Sequence, residues 1–336
     1  LFRKYREEIL MTLMNMAKAI NLALTEAMDR DDRVVVMGED VGADEGVFRI
    51  TEGLLTRFGE QRVIDTPVAE SAIVGTAIGM AIYGLRPVCE IQFSGFDYYN
   101  FHQLEGHAAR FRNRTRGRLT VPMVMRAPYG GGIRALEHHS ESREAIYAHT
   151  PGLKVVIPSG PRNARALLHS AIQDPDPVIY YEPKAVYRLF KEEVPEAMET
   201  LPIGQARIVR KGKDLTIISY GASLRPCLEA CEILEEDDKI EVELIDLLTI
   251  SPLDRQTVVE SVRKTGRAIV VHEGPRTCGL AAEVVASINE EVLLYLEAPV
   301  KRVTGYDVPM PYFNKEMAYL PDADKVVFAA RDTMEF

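Results

Sequence analysis

Apolar positions along this chain follow two alternating rhythms. From Ala17 to Arg30 they recur every three to four residues, the period of a helix with one buried face. "RVVVMGED" then packs its apolar residues side by side, which predicts a buried strand and a turn over Val34 to Asp40. "QRVIDTP" predicts a second strand and "RPVCEIQF" a third, with a helix between them. Asp97 to Arg112 again has helical spacing. "LTVPMVMRAP" and "LKVVIPSGP" read as strands, separated by the glycine-rich "YGGGIRALEHHSES", and a helix is expected over Arg162 to Gln173 before the strand in "DPDPVIYYEPK". Strands that alternate with helices predict parallel α/β layering.

The rhythm stops at "FKEEVPEAMETLPIG", Phe190 to Gly204, which is polar, contains prolines and has no period. It reads as a linker between domains. The alternation then restarts. "DLTIISYG" predicts a strand, Leu224 to Glu235 a helix, "KIEVELIDLLTI" one strand, Asp254 to Thr265 a helix and "RAIVVHEG" a strand. A helix over Gly279 to Asn289 and a short strand near "KRVTGYD" complete a second α/β unit of about 130 residues, an ordinary domain size.

One charge interrupts the apolar helix of the first unit. Between Pro67 and Arg86 the only charged residue is Glu70. Thr66-Pro67 has the form of a helix start, with Thr66 as N-cap and Pro67 in the first turn. On that reading Glu70 offsets the positive end of the helix dipole. The other reading is an acid held among Ala, Ile and Val for proton chemistry, with its pKa raised by desolvation. Local sequence leaves both open.

Composition narrows the function classes. The chain has 336 residues, 46% of them hydrophobic, so it can bury two cores. A net charge of −10 argues against general nucleic-acid binding. The most apolar run, Ala72 to Leu85, is shorter than a bilayer span. The opening "LFRKYREEIL" is too charged for a signal peptide and is expected to be an extra helix or an appended segment, with the native start near Met11 to Met16. Cys89, Cys227, Cys231 and Cys278 form no CxxC, and they read as structural thiols of a reducing compartment.

In parallel α/β sheets ligands gather beyond the carboxyl ends of strands. Those ends offer Glu39-Asp40, Glu70, Gln92 to Phe96, Tyr129 to Arg134 and His138-His139-Ser140. Each has a structural alternative: turn solvation for Glu39 and Asp40, core packing for Phe93 and Phe96, loop hydrogen bonding for the histidines. The sequence has no GxSxG, GxxxxGK[ST], HExxH or strand-borne GxGxxG, so no hydrolase elbow, phosphate loop, zinc helix or dinucleotide fingerprint is supported. An α/β protein of this size without a phosphate loop raises the prospect of a site shared with another chain. "RFRNRTRGR" sets five arginines at every second position, Arg110 to Arg118, and reads as a solvated basic edge or ion pairs across a subunit contact, with a landing patch for an acidic partner domain as the alternative.

"MGEDVG", "GVFRITEGLLTRFGEQRVIDTPVAE", "GLRPVCEIQF", "HTPGLKVVIPSGP", "DPDPVIYYEPK", "KTGRAIVVHEGP" and "EAPVKRVTGYDVPMPY" fall in one order from about Met16 to the C-terminus. In this the chain resembles the β subunits of the decarboxylating component of 2-oxoacid dehydrogenase complexes. The resemblance implies an α/β fold: a transketolase-like pyrimidine-binding domain with a parallel sheet over residues 14–188, a linker at 189–204, and a smaller transketolase C-terminal domain over 205–336. It implies thiamine diphosphate as cofactor.

The same resemblance gives the candidates roles. Glu70 matches the acid that hydrogen-bonds the aminopyrimidine ring and favours its imino form, the internal base. Phe96 matches the aromatic that stacks on that ring. His139 matches the histidine near the reacting carbon that serves acyl transfer to lipoyl-lysine, with His138 as its rival. Met123, Ala171, Ile172, Asp174 and Asp176 match the ligands of a monovalent cation such as K⁺. No GDG occurs in the sequence. In this family that diphosphate and Mg²⁺ motif lies on an α subunit, so the expectation is half a site, an α2β2 heterotetramer, and docking on a dihydrolipoyl acyltransferase core with its lipoyl domain. The location implied is a bacterial or archaeal cytoplasm, or a mitochondrial matrix. Pyruvate is the favoured substrate, with branched-chain 2-oxo acids and acetoin as alternatives. A non-catalytic scaffold would have no need of Glu70.

Overall fold

The structure, a computed structural model, describes residues 10–336. The helix expected in the opening segment falls almost wholly outside the described residues. The strands are β1 (Met11–Met14), β2 (Val34–Gly38), β3 (Val63–Asp65), β4 (Arg86–Glu90), β5 (Val124–Tyr129), β6 (Lys154–Val156), β7 (Val178–Pro183), β8 (Glu192–Pro195), β9 (Arg207–Arg210), β10 (Leu215–Ser219), β11 (Val242–Asp246), β12 (Thr249–Ser251), β13 (Ala268–Val271) and β14 (Lys301–Val303). They form a seven-stranded sheet in the order β12-β6-β7-β5-β4-β2-β3, a five-stranded sheet in the order β14-β13-β10-β11-β9, and the ribbon β1-β8. From β6 to β3 the large sheet is parallel. The smaller sheet is parallel apart from β9. This is the α/β architecture expected from the alternating pattern.

The chain leaves β2 for β3 on one side and returns for β4 on the other, so the carboxyl end of β2 is the switch point where such sheets bind ligands. The crossover between β3 and β4 is the helix Glu70–Tyr83, closed by Gly84 at φ 111°. The helix begins at Glu70, after Ala69, and not at Thr66-Pro67. The reason is backbone pairing: the Thr66 N–H donates to the Gly38 carbonyl at 2.9 Å, which prolongs the β2-β3 ladder and keeps the chain extended.

Three further expectations change. "KIEVELIDLLTI" is two strands in two sheets, β11 and β12, separated by a turn in which Leu248 has φ +55°. Both strands are buried, so the apolar run gives no sign of the break. The linker contains β8, which pairs with β1 and buries Val194. In the arginine run, Ala109–Arg114 is helical. Helical geometry fans Arg110, Arg112 and Arg114 around the axis. Arg110 pairs with Glu105 at 2.8 Å and Arg112 with Asp176 at 2.6 Å.

Candidate active site

Three loops at the carboxyl ends of β2, β3 and β4 converge with a fourth, residues 130–141, on an open cleft of about 1090 Å³. Glu39, Glu70, Phe96 and His139 all line it; His138 does not. The loop after β2 is fixed by Asp65, whose carboxylate accepts the N–H groups of Gly42 at 2.6 Å and Ala43 at 2.9 Å. Gln92, just past β4, donates to Asp40 at 2.8 Å and ties two of the loops together.

Glu70 is half-buried at the first turn of its helix, where the dipole favours its charge. The apolar enclosure expected around it is open on the cleft side. The buried acid of the pair is Glu39, only 5% exposed, with Oε1 lacking any partner. Burial, then the nearby carboxylates of Glu70 and Asp40, push the Glu39 pKa up to about 7. The sequence placed Glu39 among the strand-end candidates, with turn solvation as the alternative, and gave it no role in the site. Its signal was its place at the end of a buried strand; its charged neighbour Glu70 is remote in sequence.

His139 stands edge-on to two phenylalanines, with ring centroids 4.2 Å from Phe93 and 5.5 Å from Phe96. Its Nδ1 is buried without a partner. Burial, followed by the positive charges of His138 and Lys184, lowers its pKa below the usual histidine value. Phe96 and Tyr99 present further aromatic surface to the cleft.

Below the cleft, Arg126 on β5 bridges Glu90 on β4 at 2.8 Å and Glu182 on β7 at 2.6 Å, all three almost fully buried. Tyr187 donates to Glu182 as well. Breaking such a group costs about 3–5 kcal/mol because it strands a buried charge. The group ties together β4, β5 and β7, the first two of which lead into loops of the cleft.

The expected cation ligands lie away from the cleft, and each already has a partner. The Asp174 carboxylate holds the Lys154 ammonium at 2.6 and 2.8 Å, and Asp176 holds Arg112. The Ile172 carbonyl accepts from Arg86 at 2.7 Å, that of Met123 from the Val178 N–H at 3.0 Å, and that of Ala171 from the Asp174 N–H at 3.3 Å. No chemical step is assigned to a bound cation.

Residues 13–189 match the transketolase pyrimidine-binding domain and residues 204–326 the transketolase C-terminal domain. The pyruvate dehydrogenase E1 component subunit beta of Acholeplasma laidlawii is 50% identical across 94% of this chain and 96% of its own length. The chain belongs to the pyruvate dehydrogenase E1 β-subunit family. The subunits of Staphylococcus epidermidis (49% identical) and Staphylococcus aureus (48%) each align with 97% of this chain and all of their own. A solved split-gene transketolase, described as an inactive beta4 tetramer, superposes with a TM-score of 0.76 over 96% of this chain and 98% of that one, at 21% identity, a likeness of fold.

Membership in the E1 β-subunit family brings thiamine diphosphate as cofactor, and the cleft can be tested against it. One end fits: a carboxyl at Glu70, an aromatic face at Phe96, and orphaned polar atoms on Glu39 and His139. The diphosphate finds no such match: Asp40 adds a further carboxylate to the cleft, and among the described residues no lysine or arginine lines it. A diphosphate needs cations or clustered N–H groups. The buried cysteines 89, 227 and 231 sit in the cores as structural thiols, with Cys278 exposed. Among the described residues no helix is long and apolar enough to cross a membrane.

Proposed function

We propose that this chain is the β subunit of a pyruvate-decarboxylating E1 and supplies the pyrimidine half of an active site whose diphosphate half lies on an α subunit. The observation that carries this is the lining of the cleft: an acid, aromatic rings and an imidazole suit a pyrimidine, while among the described residues no lysine or arginine is there to hold a diphosphate. The relatives' names favour pyruvate. Mg²⁺ belongs with the diphosphate on the α subunit.

Thiamine diphosphate, when bound, supplies the carbon nucleophile that adds to the 2-oxo acid and lets carbon dioxide leave. The side chains of this subunit handle protons and orientation around it. Glu70 would hydrogen-bond the pyrimidine ring when it is bound. Glu39 keeps a proton near neutrality beside Glu70, so the pair can hand it on without a full buried charge. Phe96 holds the ring plane by stacking. His139 serves the last exchange. There the S–S bond of a lipoyl group would break, one sulfur bonding the acyl carbon as that carbon's bond to its carrier breaks, and the other sulfur taking a proton from His139. The 2-oxo acid is thereby oxidised by two electrons and the disulfide reduced. The reading extends to an α2β2 assembly docked on a dihydrolipoyl acyltransferase core.

The test is 2-oxo-acid-dependent reduction of an artificial acceptor, with thiamine diphosphate and Mg²⁺, by the chain alone and with its α partner. Pyruvate, branched-chain 2-oxo acids and acetoin are compared. Activity with pyruvate only when both chains are present supports the proposal. Activity of this chain alone overturns it, and preference for another substrate overturns the pyruvate assignment.

A further inference from the structure

His139 rides on a loop that is held from outside its own domain. The loop is pinched at its neck, where the Gly130 N–H donates to the Glu141 carbonyl at 3.1 Å and the Ser94 hydroxyl donates to the same carbonyl at 2.7 Å. Short closed loops of this kind rely on their own packing and on local acceptors. Three N–H groups on its ascending limb are instead taken by carboxylates of the second domain. Gly131 donates to Glu273 at 2.9 Å. Gly132 and Arg134 donate to the two oxygens of Glu316, at 2.8 and 2.7 Å. Arg134 has φ +56°, a left-handed conformation that a non-glycine side chain resists unless its surroundings enforce it.

Both acids are buried, Glu316 completely and Glu273 to 5% exposure. Glu273 follows β13, and Glu316 opens the short helix Glu316–Tyr319. Burying two carboxylates at a domain boundary is costly unless they are hydrogen-bonded or balanced. Here the loop N–H groups do the first. Lys184, itself 3% exposed with Nζ free of any hydrogen-bond partner, attracts both acids and does the second. The fit leaves no slack at the glycines. A β-carbon on Gly130 would lie 2.1 Å from a Glu273 oxygen, and one on Gly132 would lie 2.6 Å from the Ala185 side chain.

We infer that Glu316 and Glu273 are positioning residues of the second domain, whose carboxylates hold the 130–141 loop in the conformation that places His139 in the cleft. Neither acid lines the cleft, so they act through the loop. A C-terminal domain with no catalytic side chain of its own thereby sets the geometry of the transfer step. The inference rests on the functional reading above for the role of His139, while the loop contacts stand independently of it.

The test uses full-length Glu316→Gln assembled with its α partner. The amide keeps the shape but turns an NH₂ donor toward one of the two loop N–H groups. Hydrogen exchange of peptides covering 130–141 should rise, with exchange elsewhere unchanged. Acyl transfer to a lipoyl domain should fall about tenfold, as displacement of a proton donor predicts, while decarboxylation falls much less. In a His139→Ala background the same substitution should cost less than about twofold in transfer, because the loop then has no imidazole to place. Unchanged exchange at 130–141, or a full tenfold loss in the His139→Ala background, overturns the inference. If Glu316→Gln does not assemble, Glu273→Gln is put through the same measurements. If the wild-type assembly turns over no 2-oxo acid, the functional reading fails, and exchange at 130–141 alone decides whether the acids hold the loop.

Discussion

The backbone of His138 rests directly on Gly95: a β-carbon at residue 95 would lie 1.9 Å from the His138 carbonyl oxygen. One neighbour of this contact is Phe96, the other His139, so it sets the spacing between the stacking ring and the imidazole. Gly95→Ala must push the two segments apart. The expected result is a loss of about 1–3 kcal/mol of stability, the usual cost of overpacking, and a drop in turnover larger than that loss explains. Thermal unfolding and steady-state kinetics on the assembled enzyme check both.

Glu70→Gln removes the carboxyl that the proposed pyrimidine half of the site uses and nearly conserves side-chain volume. Turnover should fall by about 10²–10⁴, the range for general acid–base groups. Assembly with the α subunit, followed by gel filtration, should be unaffected. A variant with most of its activity would refute the role given to Glu70.

For His139→Ala the expected loss is selective. Reductive acyl transfer to a lipoyl domain should suffer far more than decarboxylation read by an artificial acceptor, and His138→Ala, outside the cleft, should leave both near wild type. Because burial and neighbouring positive charge lower the His139 pKa, the transfer rate should decline with rising pH from a midpoint below 6.5. Equal losses in the two half-reactions would remove the assignment.

A pH effect on stability is expected far from the cleft. Burial alone would raise the pKa of Glu26, but hydrogen bonds from His169 and Arg165 outweigh it and bring it down to about 2, from an ordinary value of 4.5. The folded state therefore holds this carboxylate charged where the unfolded chain protonates it. Its contribution is complete above pH 4.5 and is lost as pH falls toward 2. Glu26→Gln should lower the melting temperature at neutral pH and flatten the acid limb of the stability profile, measured by thermal unfolding at stepped pH.

Much of this molecule can be read from local pattern. The buried strands announce themselves as apolar runs such as "RVVVMG", and the helix Met16–Arg30 by its spacing over Ala17 to Arg30; its Asn15 cap on the Lys18 N–H shows only in the structure. Glu70 stands out because it is alone among apolar residues. What escapes is decided by partners distant in sequence. Thr66 is extended because Gly38 pairs with it. Glu39 has a raised pKa because the fold buries it and then brings the Glu70 carboxylate near. The carboxylates that hold the histidine loop sit more than a hundred residues downstream of it. The break between β11 and β12 is silent because both flanks are buried, each in a different sheet.

That break has a consequence for the chain as an object to be cut. Thr249–Ser251 lies antiparallel on β6 as the outermost strand of the larger sheet. A fragment ending at the interdomain segment would leave β6 with a bare row of unpaired N–H and C=O groups along Val155 and Val156. Exposed edges of this kind recruit other strands. Such a fragment is expected to self-associate, and the three residues of β12 double as the stopper that keeps this protein from doing so.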